Sequence, residues 1–143
     1  MNSSALKSIE TKSAPKPVGP YNQAVLVDNW LYCSGQIALD PATSQMVGKG
    51  NIEEETRQVL KNLIAVVEAA GGNNSNVIRT TIYLTDLNDF AKVNQIYAET
   101  FDSKVSPARA CVEVSNLPKG GKIEIDCIAW IEKQKSKTNF VTK

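Results

Sequence analysis

The alternation of apolar and polar positions divides this chain into extended and helical stretches. The run AVLVDNWLYCSGQIAL, residues 24–39, predicts two strands around Asp28-Asn29, because that pair tolerates the left-handed backbone of a tight hairpin. DPATSQMVGKG follows as a loop of turn residues. Ile52, Val59, Leu60, Leu63, Ile64 and Val67 then share one helical stripe. Glu53, Glu54 and Glu55 suit its first turn, where the helix dipole favours negative charge, and Gly71-Gly72 ends it. NVIRTTIYLTD reads as a strand rich in β-branched residues. A second helix is predicted from about Asp89 to Phe101, capped by Asn88, with the stripe Phe90, Val93, Tyr97 and Phe101. Asn94 lies one turn from both Phe90 and Tyr97 and borders that stripe. ARACVEV and KIEIDCIAWI close the chain as two strands joined by SNLPKGG.

The order strands, helix, strand, helix, strand pair predicts an α+β sandwich with both helices on one face of a mixed sheet. Read as an antiparallel hairpin, the closing strands have two faces. The apolar sets Ala108, Ala110, Val112 and Ile123, Ile125, Cys127 both suit the helix side, so the register should join even to odd positions. Arg109 and Glu124 would then share the opposite face. That face, mixed polar and aromatic with Ile128 and Trp130, suits a subunit interface better than open solvent.

Composition narrows the function classes. The 143 residues fit a single domain over 1–132, followed by a polar tail over 133–143. No apolar run is long enough to span a membrane, and the N-terminal stretch has no signal-peptide core, so the expected setting is the cytoplasm. Net charge is +1 at pH 7, and the basic residues cluster only in EKQKSKTNFVTK, which argues against a nucleic-acid binder. Cys33, Cys111 and Cys127 match no metal spacing and are expected to be reduced. The chain has no histidine. Ser-His and Cys-His couples are therefore impossible, and acid–base chemistry falls to Glu, Asp, Lys, Tyr or Cys.

Arg109 is the most conspicuous candidate. An arginine inside a strand pattern needs a partner, water or an anionic ligand. It can pair with Glu124 or Asp126 across the hairpin, or its guanidinium fork can clamp a carboxylate. Glu124 is a solvated strand residue or a general acid/base. The Cys111 thiol reads as a small buried group, whereas its backbone carbonyl is free to face a pocket. Gly35, after Ser34, marks either a bulge or a close approach. Tyr21 is a core aromatic or a pocket hydroxyl, and Asn94 an edge-of-core amide or a site residue.

GPYNQA, LYCSGQI, DLNDFAKVNQIY and PARACVEVSNLPKGGKIEID occur in this order. Together they closely resemble the RidA subgroup of the Rid (YjgF-like) family, from about Ser13 to Trp130. The resemblance implies a chorismate-mutase-like fold and a homotrimer with a central barrel and pockets between neighbouring subunits. It also implies cofactor-free and metal-free hydrolysis of 2-aminoacrylate and 2-aminocrotonate to 2-keto acids and ammonia. Those substrates leave pyridoxal-phosphate enzymes such as serine/threonine dehydratases. The family's pocket residues map onto Tyr21, Ser34, Gly35 and Asn94 for binding, and onto Arg109, Cys111 and Glu124 for catalysis. Arg109 would hold the substrate carboxylate, with Glu124 nearby when the pocket is empty. A non-catalytic metabolite-binding or chaperone-like protein would use the same pocket. A translation-inhibiting ribonuclease is disfavoured by the missing histidine and basic face.

Overall fold

The computed structural model describes residues 5–133. The expected polar tail lies, beyond Lys133, outside the described residues. Six strands and two helices follow one another as β1 (Leu6–Ile9), β2 (Ala24–Val27), β3 (Trp30–Gln36), α1 (Ile52–Ala69), β4 (Val77–Leu84), α2 (Phe90–Thr100), β5 (Ala108–Glu113) and β6 (Ile123–Trp130). The strands form one mixed sheet in the order β1-β2-β3-β6-β4-β5. Both helices pack on the same face, as the apolar pattern predicts.

The β2–β3 hairpin forms where expected, with Asp28 at φ 52 and Val27 opposite Trp30. β1 has no sequence signal, because of its four residues only Ile9 is buried and the alternation has nothing to display. Asn51 caps α1, its side chain accepting from the Glu54 N–H at 3.0 Å. Gly71 takes φ 98 beyond its end, a position that suits glycine. The α2 start differs from expectation. Asp86, not Asn88, receives the capping bond, from the Asn88 N–H at 2.9 Å. Residues Leu87–Asp89 form a 3₁₀ turn and the α-helix begins at Phe90.

The closing strands carry the main correction. β5 and β6 do not pair. α2 carries the chain over the sheet so that β5 lies parallel to β4, while β6 runs antiparallel to β4 on its other side. Arg109 stands opposite Thr80, and Thr80 opposite Cys127. Glu124 stands opposite Tyr83, and Tyr83 opposite Val112. Directly opposed residues share a face. Arg109 and Cys111 therefore lie on the helix side with Ile125 and Cys127, and Glu124 lies on the uncovered side with Val112 and Asp126. The expectation that Arg109 and Glu124 share a face fails, because an even-to-odd hairpin register has no meaning across an intervening strand.

The core fills the space between the helices and the inner sheet face. Val59, Leu63, Val66, Ile82, Ile123, Ile125 and Ala129 are fully buried there. The three cysteines are free, with Cys33 directly opposite Cys127. Two buried polar side chains of α1 anchor the segments that carry the site. Asn62 donates to the carbonyls of Ile37 at 3.2 Å and Leu39 at 2.8 Å, just past β3. Glu55 accepts from the Lys122 N–H at 2.9 Å, just before β6. Among the described residues no helix is long and apolar enough to cross a membrane.

Replacing Asn62 with alanine leaves two buried carbonyls without their donor. The expected cost is about 1–3 kcal/mol, seen as a lower urea midpoint at unchanged slope. A loss within experimental error would show that solvent can replace the amide.

Candidate active site

One set of candidate residues gathers around an irregularity in β3. The β3–β6 register shifts between Cys33 and Gln36, which takes Ser34 and Gly35 out of the ladder. Ser34 is tied instead to the segment before β2. Its N–H donates to Gln23 O at 2.9 Å, and its hydroxyl donates to Asn22 O at 2.6 Å. Gly35 lies flat against Glu124. A Cβ there would stand 2.5 Å from Glu124 Oε2 and 2.7 Å from its Cδ. Of the two readings of Gly35, bulge and close approach, both hold: the bulge makes room and the missing side chain lets the carboxylate in.

Glu124, Gly35 and Tyr21 line one cavity of about 40 Å³, walled by Pro15, Pro17, Val18, Ile37 and Pro118. Tyr21 is exposed, and its hydroxyl accepts from the Val18 N–H at 3.2 Å. Gln23 holds the wall in place. Buried, it accepts from the Thr11 N–H at 2.7 Å. Its amide donates to the carbonyls of Thr11, Ala14 and Pro15 at 3.0, 3.2 and 2.8 Å. Sequence reasoning did not single out Gln23, since its partners lie 8 to 12 residues back along the chain and no local pattern marks them. Burial pushes the Glu124 carboxyl above the ordinary glutamate range, and the negative charge of Asp126 adds to the effect. Asp126 is itself held by the Tyr83 hydroxyl, which donates at 3.1 Å.

The second set gathers on the helix side of β5. Arg109 donates from Nη1 to Asn94 Oδ1 at 2.7 Å. Its guanidinium carbon lies 5.4 Å from the Phe90 ring centroid and 4.9 Å from that of Tyr97. The charge is therefore accommodated by an amide oxygen and two ring faces, not by Glu124 or Asp126. The salt bridge recorded among the described residues joins Arg57 and Glu99. Phe90 was expected in the core stripe but is 41 % exposed, whereas Ile96, outside that stripe, is buried. The Cys111 thiol is half-buried. Burial raises its pKa, with the charge of Arg109 working against that shift. It is thus a poor nucleophile at neutral pH, as expected of a packing residue.

The backbone of Cys111 has a different role. β5 is the edge of the sheet. The Val114 N–H donates to Leu84 O at 2.8 Å, and in a parallel ladder alternate residues turn their N–H and C=O to opposite sides. Ala110 and Val112 thus bond to β4, while the carbonyls of Arg109 and Cys111 face the open edge.

The seven candidates thus fall into two groups on opposite sheet faces: Tyr21, Ser34, Gly35 and Glu124 in one, Asn94, Arg109 and Cys111 in the other. Against this geometry, the sequence pattern of the family described as Endoribonuclease L-PSP matches residues 11–131. The chain belongs to the Rid (YjgF-like) family. It is 53% identical over 124 residues to a RutC family protein of Synechocystis, covering 87% of this chain and 95% of that one. It is 48% identical to human 2-iminobutanoate/2-iminopropanoate deaminase, covering 90% and 93% of the two chains. The crystal structure of a protein of the Rid family from Yersinia pestis superposes with a TM-score of 0.86 at 47% identity, covering 89% of this chain and all of that one.

The raised Glu124 pKa has a consequence for stability. A carboxyl whose folded pKa exceeds its unfolded value favours folding when protonated, and that contribution is lost as pH rises through the folded value. Glu124→Gln should therefore stabilise the protein at neutral pH. The gain should shrink and vanish as pH falls below the ordinary 4.5. Thermal melts of both proteins from about pH 4 to 8 check this. A variant no more stable than the parent at neutral pH would contradict a strained carboxylate.

Proposed function

We propose that this protein hydrolyses small 2-imino and 2-enamino acids to 2-keto acids and ammonia, in a site completed by a second copy of the chain. The observation that carries the reading is the placement of the open carbonyl of Cys111 two residues from the framed guanidinium of Arg109 on one strand edge. A 2-iminium acid presents a carboxylate beside an N–H donor, which are the complements of those two groups. The deaminase activity named for the human relative supports the same chemistry.

In this mechanism Arg109 and Asn94 bind the carboxylate, and the Cys111 carbonyl accepts from the iminium N–H, favouring the protonated, electrophilic form. An enamine reaches that form directly by gaining a proton at its terminal carbon. Glu124 takes a proton from water as the oxygen adds to the imine carbon. It returns that proton to nitrogen and accepts the proton of the new hydroxyl as the C=O bond forms, the C–N bond breaks and ammonia leaves. No oxidant or electron sink is needed, because the imine carbon is already electrophilic. Tyr21, with Ser34 and Gly35 setting the wall, closes the pocket around a small side chain.

Arg109 and Glu124 lie on opposite faces of one sheet, so the two halves of the site come from neighbouring copies. The uncovered face supports such an assembly. It exposes Trp30, Tyr32, Ile78, Val112 and Trp130, an apolar set rarely left to solvent, beside an unpaired β5 edge. A homotrimer with its sheets forming a central barrel satisfies both. The proposed setting is the cytoplasm, beside the dehydratases whose released enamines it would consume.

The test is an enamine-hydrolysis assay coupled to a serine or threonine dehydratase. Arg109→Ala removes charge-assisted hydrogen bonds of about 1.5–3 kcal/mol each, so kcat/KM should fall roughly tenfold to over a hundredfold. Arg109→Lys should recover only part, because an ammonium lacks the fork. Mixing Arg109→Ala with Glu124→Gln subunits should then restore roughly a quarter of the parent activity, since each intact half is present in half of the copies. An inactive mixture that nonetheless exchanges subunits would place the whole site within one chain. Cleavage of RNA that follows the protein through successive columns would favour a nuclease instead.

The acid limb of the pH profile should follow Glu124. Activity falls as pH drops through its raised pKa, because the base is lost. Asp126→Asn removes one cause of the raised value and should move that limb to lower pH. An unmoved limb in the folded variant would exclude Glu124 as the titrating base.

A further inference from the structure

Phe90 opens α2, yet its ring is 41 % exposed and contributes little to the core. It stands over one side of the Arg109 guanidinium. Tyr97, two turns along the same stripe, brings a buried ring to the same guanidinium, and Asn94 sits between them on the helix. Tyr97 is held at both ends. Its hydroxyl shares a buried hydrogen bond of 2.7 Å with Thr80 Oγ1, and its ring leans on Phe101 with centroids 4.6 Å apart. Thr80 is the residue directly opposite Arg109 in the β4–β5 ladder. The ring beside the guanidinium is thus tied to the strand that neighbours the arginine's own backbone.

An unsupported arginine samples many rotamers, and freezing it subtracts from the affinity of whatever it binds. Ring faces attract the flat faces of a guanidinium and leave its in-plane N–H groups untouched. Asn94 takes one of the five N–H groups. Among the described residues the others have no partner and are left for a carboxylate. We propose that Phe90, Tyr97 and Thr80 form a frame that presets the Arg109 fork for the substrate carboxylate. This rests on the reading of Arg109 as the carboxylate anchor. All three act through Arg109 and are positioning residues. The frame also explains why an aromatic ring stays at an exposed position where a smaller polar residue would serve the helix equally well.

The experiment combines steady-state kinetics on the dehydratase-generated enamine with NMR relaxation of the Arg109 Nε–H group. Phe90→Leu, at an exposed position, should leave the melting temperature unchanged. It should raise KM roughly three- to thirtyfold, the span of a cation–π contact, with kcat within about twofold, and it should increase Arg109 side-chain motion. Tyr97→Phe and Thr80→Val delete the same hydrogen bond, so each should raise KM to a similar degree and the double variant no further. In an Arg109→Ala background Phe90→Leu should have no further effect on KM. A merely structural ring would instead lower the melting temperature and cost the same in both backgrounds. Unchanged KM together with unchanged Arg109 motion in Phe90→Leu would overturn the frame. If the parent protein lacks activity on the enamine, the functional reading fails, and the relaxation measurement still decides whether the rings immobilise Arg109.

Discussion

The parallel pairing of β5 with β4 is the constraint on which the arrangement depends. It follows from α2 lying across the sheet between the two strands, which returns the chain in the same direction and places β5 at the edge. Three consequences come from that placement. Arg109 is turned toward α2, where Asn94 and two aromatic rings receive it. Among the described residues the Cys111 carbonyl has no strand to bond to. Glu124, two strands away on β6, is turned to the other face.

The Glu124 side shows how a carboxylate is kept poised at a cost to the fold. It is half-buried, flat against a glycine, with a second carboxylate two residues along on the same face. Each feature disfavours its charged form. The scaffold holds it there through remote anchors. Glu55 and Asn62, both buried in α1, tie down the segments entering β6 and leaving β3, and Gln23 ties the wall over the pocket. Removing such tension stabilises a protein and commonly weakens its site.

The uncovered sheet face and the split site answer each other. A monomer would leave indole and phenol rings in water, and Glu124 on the face opposite Arg109. The proposed assembly resolves both, with neighbouring copies covering the rings and bringing the two halves together. The same assembly would occupy the open edge of β5, otherwise a template for unspecific pairing.

Much of this was legible in the sequence. The α1 stripe, its acidic first turn and its glycine end are local patterns with a 3.6-residue period, and they formed as read. The Asp28 hairpin is local as well. The family motifs selected seven residues that the structure gathers into two groups around a cavity and an arginine. Even the Arg109 frame left a trace, since Asn94 lies one turn from both Phe90 and Tyr97. Beyond that reach were β1, whose pairing is made by its neighbour and not by its own alternation, and the order of the last three strands. Period-two patterning states which residues of a strand share a face. It does not state which strand lies alongside, so a plausible hairpin and a parallel crossover read alike. That choice is made by packing, because α2 must bury Val93, Ile96 and Tyr97 against the sheet. The sequence by itself determined the elements other than β1 and the chemical groups of the candidate site; the tertiary structure alone decided that Arg109 and Glu124 face opposite ways, because a face is a property of the sheet the strands build together.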